Sequence, residues 1–287
     1  MSLNKRLKGL LQAGAAVLLP GAANALTARI IEDAGFEAFL VTGAGISNMY
    51  LGMPDIGLTT LTEVTDHIAR IRDAVQIPMI ADGDTGFGNA INMQRTIRMF
   101  ERAGANGIQM EDQGLPKKCG HFENKQVVPA AEMVQKIKAA VDSRADQDFL
   151  IVARTDAYAV EGFDAALERV AQYKEAGADL LFVEAPKTVE HLRDIPRRAP
   201  GNHICNLVVG GKTPVIPREE LAKMGFAGAL YANAALQAAM RAMKEVLEYL
   251  HKHGSLAGAE QAVMSFADRQ EVIRLGHFIE LERRYTA

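Results

Sequence analysis

Residues 163–184 read FDAALERVAQYKEAGADLLFVE, and this stretch holds one complete unit of the pattern that decides the fold. Residues 163–176 place apolar side chains at helical spacing, Gly177 follows at once, and residues 180–184 form a short apolar run ending on a carboxylate. A glycine just past a helix takes the left-handed cap conformation at no steric cost. The phrase Glu175-Ala176-Gly177-Ala178 therefore marks a junction between a helix and the strand after it. Related phrases at Asp33-Ala34-Gly35 and Arg102-Ala103-Gly104-Ala105 mark two more such junctions and carry no chemistry.

Outward from that unit, apolar runs of strand length fall at residues 16–20, 38–42, 78–82, 107–111, 149–154, 180–184, 203–207 and 228–231. Amphipathic stretches lie at 26–34, 61–75, 90–103, 130–145, 163–176, 188–199, 219–224 and 234–253. Few of the strands alternate polar with apolar residues, as expected of strands covered on both faces in a parallel sheet. Eight strand–helix units with no Pro/Ser-rich linker predict an α/β fold, a single (β/α)8 TIM barrel over residues 1–287. Residues 255–287 are predicted to be a C-terminal helical extension packing outside the barrel, against another subunit. The competing architecture is an open doubly wound sheet. Its dinucleotide fingerprint is missing, because Gly43-Ala44-Gly45 lacks the third glycine and the acidic residue about 20 positions on.

The chain has 287 residues, 48% of them hydrophobic, and a formal net charge of −3. That leaves no basic footprint for a nucleic acid. Apolar stretches fall short of the roughly 20 residues that span a bilayer, and the N-terminal residues MSLNKRLKGLLQAG lack a signal-type apolar run and cleavage site. A cytoplasmic protein with no membrane partner is expected. Two cysteines, Cys119 and Cys205, make no disulfide framework.

In such a barrel the C-terminal strand ends face one shared pocket. Those ends carry Thr42, Asp82 with Asp84, Glu111, Arg154, Glu184, Asn206 and Tyr231, a concentration of polar groups that points to a site. Asp82 and Asp84 are two residues apart on an extended strand end, so both carboxylates can face one hard cation. Asp55 and Glu111 could add oxygen ligands or hold metal-bound water. Oxygen donors without a His/Cys cluster favour Mg2+ or Mn2+. A second constellation, Lys117-Lys118-Cys119-Gly120-His121, lies in a connection (113–128) too long for an ordinary βα loop, the length of a lid. Two lysines and a histidine around Cys119 favour its thiolate. Cys205, inside an apolar strand, is expected to pack.

Six motifs in order and spacing then define a resemblance over nearly the whole chain. They are Asp55-Ile-Gly-Leu, Ala81-Asp82-Gly-Asp84-Thr-Gly-Phe-Gly, Glu111-Asp-Gln, Lys117-Lys-Cys119-Gly-His121, Ala153-Arg154-Thr-Asp156-Ala and Val183-Glu184-Ala. The sequence resembles the isocitrate lyase and phosphoenolpyruvate mutase superfamily. The resemblance implies an α/β barrel, one Mg2+, a gating loop, and a homotetramer in which a C-terminal helix is exchanged between subunits. It implies Asp84 as the direct metal ligand, with Asp55, Asp82 and Glu111 holding the ion mainly through water. It also implies Thr42, Gly43 and Ala44 as a cradle for a substrate carboxylate, Arg154 as a clamp on substrate oxygens, and Asp82, Glu184 and Asn206 on the pocket wall. Lys117, Gly120 and His121 would come down with the loop, and Cys119 would be the catalytic acid of the lyase branch.

Departures from the superfamily pattern bear on the substrate. Isocitrate lyases are longer and carry Ser-Pro-Ser after the seventh-strand Asn, and methylisocitrate lyases show Asn-Met-Thr-Glu-Phe-Gly there, where Val209 stands in place of an acid. Gly210-Gly211-Lys212-Thr213-Pro214 instead resembles the group of 2,3-dimethylmalate lyases, the petal death protein and oxaloacetate hydrolases. Ala232 stands where oxaloacetate hydrolases have a serine, and Leu40 where some relatives have an aromatic residue. The resemblance thus implies a carbon–carbon lyase acting on a 2-hydroxy dicarboxylate, 2,3-dimethylmalate or a related alkylmalate, to give pyruvate and a short carboxylate such as propionate. The alternatives are a 2-methylisocitrate lyase yielding pyruvate and succinate, or a relative that processes oxaloacetate or phosphonopyruvate.

Overall fold

The computed structural model describes residues 1–120 and 122–286. Among them, strands β1 (Val17–Ala22), β2 (Phe39–Val41), β3 (Met79–Asp82), β4 (Gly107–Glu111), β5 (Leu150–Thr155), β6 (Leu180–Val183), β7 (His203–Asn206) and β8 (Phe226–Tyr231) are all parallel. They pair in chain order and β8 returns to β1, closing the (β/α)8 barrel expected from the sequence.

The helices are α1 (Leu3–Leu10), α2 (Ala25–Asp33), α3 (Gly43–Ile46), α4 (Leu61–Ala74), α5 (Ala90–Arg102), α6 (Ala130–Ser143), α7 (Ala157–Val160), α8 (Phe163–Glu175), α9 (Val189–Arg198), α10 (Arg218–Met224), α11 (Ala234–His253), α12 (Phe266–Val272) and α13 (Leu275–Tyr285). In α4, Thr60 and Glu63 form a reciprocal capping box, and Val64, Ile68 and Ile71 bury one face at helical spacing. No described helix is long and apolar enough to cross a membrane.

Strand residues alternate between two apolar shells because successive side chains point to opposite faces. Along β5, Ile151 and Ala153 pack outward with Phe100, Ile137 and Val170, while Leu150 and Val152 point to the barrel axis with Leu19, Ile80 and Phe182. Burying a side chain such as Phe100 contributes roughly 1.5–3 kcal/mol.

Two features depart from the sequence reading. Helix α1 was not anticipated: Leu7 and Leu11 turn into the interior cluster and plug the N-terminal end of the barrel. Strand β1 runs two residues past Pro20, to Ala22. A side chain on Gly21 would put its Cβ 1.9 Å from the carbonyl oxygen of Ala232, so glycine is required where the chain after β8 crosses β1.

The C-terminal elements pack differently. Helix α12 touches α2, and Arg274 is ion-paired with Asp33, yet Met264, Phe266, Ile273, Phe278 and Ile279 stay exposed.

Candidate active site

The alternation that sorts the core also builds the site. Leu150 and Val152 fill the axis, and the next inward residue of β5 is Arg154, at the level where the barrel opens. Its neighbour across the β4–β5 pairing is Glu111. Glu184 follows β6 directly, held by a hydrogen bond from its N–H to the Thr155 carbonyl at 3.0 Å. The next residue, Ala185, adopts φ 55°, a conformation that costs energy for any residue with a Cβ and that occurs at sites where the backbone must be aimed.

Arg154 gathers three carboxylates. Its Nε and Nη2 donate to Asp156 at 2.9 and 3.1 Å, and Nη1 lies 3.3 Å from Glu111 and 3.4 Å from Glu184. The guanidinium also sits over the Phe182 ring, 5.4 Å from its centroid. Burial opposes the charge, but Asp156, Glu111 and Glu184 outweigh it and hold the pKa well above the ordinary arginine value.

On the opposite side, Lys117 brings its ammonium to both Asp55 and Asp84. Asp84 adopts φ 47°, tolerated by aspartate better than by most residues, and its N–H donates to Asp82 Oδ1 at 3.2 Å. Burial pushes the Asp84 carboxyl up to about 7, reinforced by Asp82 and Asp55 and opposed by Lys117. Burial likewise holds Glu111 well above the usual carboxylate range, against the pull of Arg154. Lys117 is itself raised: burial disfavours its charge, and Asp84, Glu111, Asp55 and Asp82 overcome that. Four acids, Asp55, Asp82, Asp84 and Glu111, thus surround the Lys117 ammonium. A hard divalent cation fits this donor set, which is all oxygen and includes a buried Glu111 Oε1 without a hydrogen-bond partner among the described residues. No three His, Cys, Asp or Glu side chains among the described residues already converge as ready-made ligands, and the Lys117 ammonium contacts both Asp55 and Asp84.

The 113–128 connection closes the mouth. Gln113 and Val127 form an isolated antiparallel bridge at its base, and Gln113 exchanges two hydrogen bonds with the main chain of Lys118, at 2.7 and 2.9 Å. These ties carry Cys119 and Gly120 over Arg154 and Glu184. His121 lies outside the described residues.

One cavity therefore brings together Thr42, Ala44, Asp55, Asp82, Cys119, Gly120, Arg154, Glu184 and Asn206. Gly43 stands behind it, its N–H donating to Asp82 Oδ2 at 3.2 Å, and Asp84 and Lys117 line a neighbouring cavity shared with Thr59 and Phe87. Tyr231 does not line the central cavity, because it leaves β8 on the outer side and packs with Cys205 and Leu207. Cys205 is buried, as expected.

The sequence reading passed over Gln109, Phe182, Leu230 and Asn233, which also line the cavity. Gln109 is two residues before Glu111 on the same strand, so the period-2 rule places both inside. Leu40, Phe182, Leu230 and Ala232 give the same cavity its apolar lining.

A (β/α)8 barrel with carboxylates, an arginine and a cysteine-bearing loop at the C-terminal strand ends defines the class to which this chain belongs, barrel enzymes of the phosphoenolpyruvate mutase and isocitrate lyase superfamily. Within it, the phosphoenolpyruvate phosphomutase family model matches residues 7–251, and the chain is a member of that family. It is 42% identical over 286 residues to a 2,3-dimethylmalate lyase of Eubacterium barkeri, covering 100% of this chain and 99% of the relative. To a 2-methylisocitrate lyase of Aeropyrum pernix it is 44% identical over 239 residues, covering 83% of this chain and 77% of the relative. Its fold matches a phosphonopyruvate hydrolase solved in complex with oxalate and Mg2+ with a TM-score of 0.89, at 31% identity, covering 99% of each chain.

Proposed function

We propose that this chain is a Mg2+-dependent carbon–carbon lyase that cleaves an alkylated 2-hydroxy dicarboxylate, 2,3-dimethylmalate first among them, to pyruvate and a short carboxylate such as propionate. The observation that carries this reading is the position of Cys119 and Gly120 above Arg154 and Glu184, across one cavity from the acidic cluster. A barrel that merely bound a carboxylate would have no use for a thiol brought down over the ligand.

Mg2+, held by Asp84 with Asp55, Asp82 and Glu111 around it, would supply Lewis-acid polarisation of the C2 oxygen and its neighbouring carboxylate. The chain does the rest. Thr42, Gly43 and Ala44 receive the substrate carboxylate on pyruvate's side of the bond, and Asn206 lines the far side. Breaking the C2–C3 bond leaves its electron pair on C3, where the adjacent carboxylate spreads the charge. Arg154 holds that carboxylate, with Glu184 fixing the guanidinium. The proton lost from the C2 hydroxyl is balanced by the proton Cys119 gives to C3. His121 and Lys117 act with the same loop, Lys117 by anchoring it to Asp55 and Asp84.

Substrate size follows from charge and shape. Among the described lining residues Arg154 is the single cation, already facing three carboxylates, and Leu40, Phe182, Leu230 and Ala232 add apolar lining. A dicarboxylate bearing methyl groups suits that balance better than a tricarboxylate. Residues 1–287 are read as one barrel domain, with 255–287 an extension exchanged between the subunits of a cytoplasmic homotetramer.

Incubating the protein with Mg2+ and, separately, 2,3-dimethylmalate, 2-methylisocitrate, oxaloacetate and phosphonopyruvate tests the reading. Pyruvate with propionate from the first is expected. Pyruvate with succinate from the second alone would make it a methylisocitrate lyase, and oxalate from the third a hydrolase.

A further inference from the structure

Besides the residues that line the cavity, the loop carries another buried charge. Lys125 lies at the far end of the 113–128 connection, 8% exposed, with its ammonium turned inward. It donates to the Gly120 carbonyl at 2.5 Å and to Asp156 Oδ1 at 2.5 Å. Asp156 is fully buried and holds Arg154 through both of its oxygens, Oδ1 being shared with Lys125, while its own N–H donates to Asp112 at 2.9 Å. Asp112 is fixed in turn by Thr155, Arg169 and Tyr173. A continuous set of hydrogen bonds therefore runs from helix α8, through Asp112 and Asp156, to both Arg154 and the tip of the loop.

We infer that Lys125 is a positioning residue, the latch that sets how closely Cys119 and Gly120 approach Arg154 when the loop is down. The inference rests on reading that loop as the lid of the lyase. Two physical arguments support it. An ammonium removed from water is costly unless its donors are matched, and the Asp156 carboxylate lies off the loop at the end of β5, so lifting the loop forfeits that charge-assisted bond. The fit beneath the latch is also tight: a Cβ on Gly120 would stand 2.4 Å from Arg154 Nη2 and 2.5 Å from Glu184 Cδ. A loop held that close has one seated height. By contrast, the tie between Lys212 and Glu123 on the same loop is open to solvent, with Glu123 80% exposed, and contributes little.

The test uses Lys125→Met and Lys125→Arg in the full-length protein and reads the loop directly. Alkylation of Cys119 by iodoacetamide reports loop opening without depending on which substrate the enzyme takes, and buried Cys205 serves as the internal control. Loss of the two charged hydrogen bonds is expected to raise the Cys119 rate about tenfold or more in Lys125→Met, with Cys205 unchanged. Lys125→Arg keeps the charge but spreads it over a planar head, and should give an intermediate rate. Turnover on the best substrate should fall in the same order, through kcat more than KM. A folded Lys125→Met with the wild-type Cys119 rate overturns the latch, whatever the substrate. Should that variant not fold, a wild-type Cys119 rate in Lys125→Arg overturns it equally. Failure of every substrate in the panel, with alkylation raised as expected, would refute the lyase reading and leave the latch standing.

Discussion

The amide of Cys119 donates to the carbonyl oxygen of Asp55 at 3.0 Å, so the loop that carries the thiol hangs from the loop that carries one of the site's carboxylates. This tie uses main chain only. Replacing the Cys119 side chain leaves it in place, and the closed loop should survive the change.

Cys119→Ser is therefore expected to fold normally and to bind substrate with little change in KM. If the thiol gives the proton to carbon, kcat should fall about 10²–10⁴-fold, the usual size of a general-acid contribution. Steady-state kinetics on the best substrate decide the matter. A serine enzyme with near wild-type kcat would remove Cys119 from the chemistry.

Gly120→Ala probes the same closure from below. The added methyl would collide with Arg154 Nη2 and the Glu184 carboxyl, neither of which is the free end of a side chain with room to move. The barrel core is untouched, so Tm should stay near wild type. Turnover should drop on the order of 10²-fold, the cost of a misplacement of about 1 Å at reacting groups. A wild-type kcat would mean that the loop need not come this close.

Metal dependence follows from the charge imbalance around Lys117. Excess EDTA should abolish turnover and Mg2+ should restore it. Asp84 is central to the cluster, touching Lys117 with its side chain and Asp82 through its amide, whereas Asp55 approaches from a loop. Asp84→Ala should accordingly lose more activity and more Mn2+ affinity, measured by titration calorimetry, than Asp55→Ala. Equal, mild losses would reverse the assignment of Asp84 as the inner ligand.

How much of this was readable in the sequence depends on the range of the physics involved. Strand ends such as Asp82, Arg154 and Asn206 could be placed because each strand is a short apolar run whose end is local, and barrel closure then brings all the ends to one mouth. Gln109 carried a local signal too, the two-residue spacing to Glu111, which a reading confined to last residues overlooks. Helix α1 was hidden because it is eight residues long and buries only Leu7, too little periodicity to stand out. Lys125 had no local signal at all. Its partners, Gly120 and Asp156, meet it only because the loop folds back on β5, and no spacing within the loop announces that.

Association should be visible in solution. Helices α11 to α13 leave Met243, Leu247, Phe266 and Phe278 exposed by half or more, a run of large apolar side chains with no face of their own barrel to cover. Light scattering at micromolar concentration is expected to give four times the chain mass, and Phe278→Asp should shift the distribution to smaller species. A sharp monomer for the unaltered protein would leave helix exchange without support.

Acid stability is set in part at the opposite end of the barrel from the chemistry. His203 opens β7 fully buried, with its Nε2–H donating to the Ala199 carbonyl at 2.6 Å and Nδ1 without a hydrogen-bond partner among the described residues. A second proton would have to sit on Nδ1 with nothing to accept its hydrogen bond. Burial accordingly depresses the imidazole from 6.5 to about 4, even though the bond to Ala199 works in the other direction. Between those values the unfolded chain binds a proton that the folded chain does not, so folding stability must fall as pH drops from about 6.5 towards 4. A shift of this size corresponds to roughly 3 kcal/mol, fully present above pH 6.5 and lost on acidification. His203→Gln retains an amide donor for Ala199 and has no proton to gain. Urea unfolding at pH 7 and at pH 4.5 should show the wild type losing more stability than the glutamine variant, with the difference growing through this window. Parallel losses in the two proteins would show that His203 is not the group that titrates.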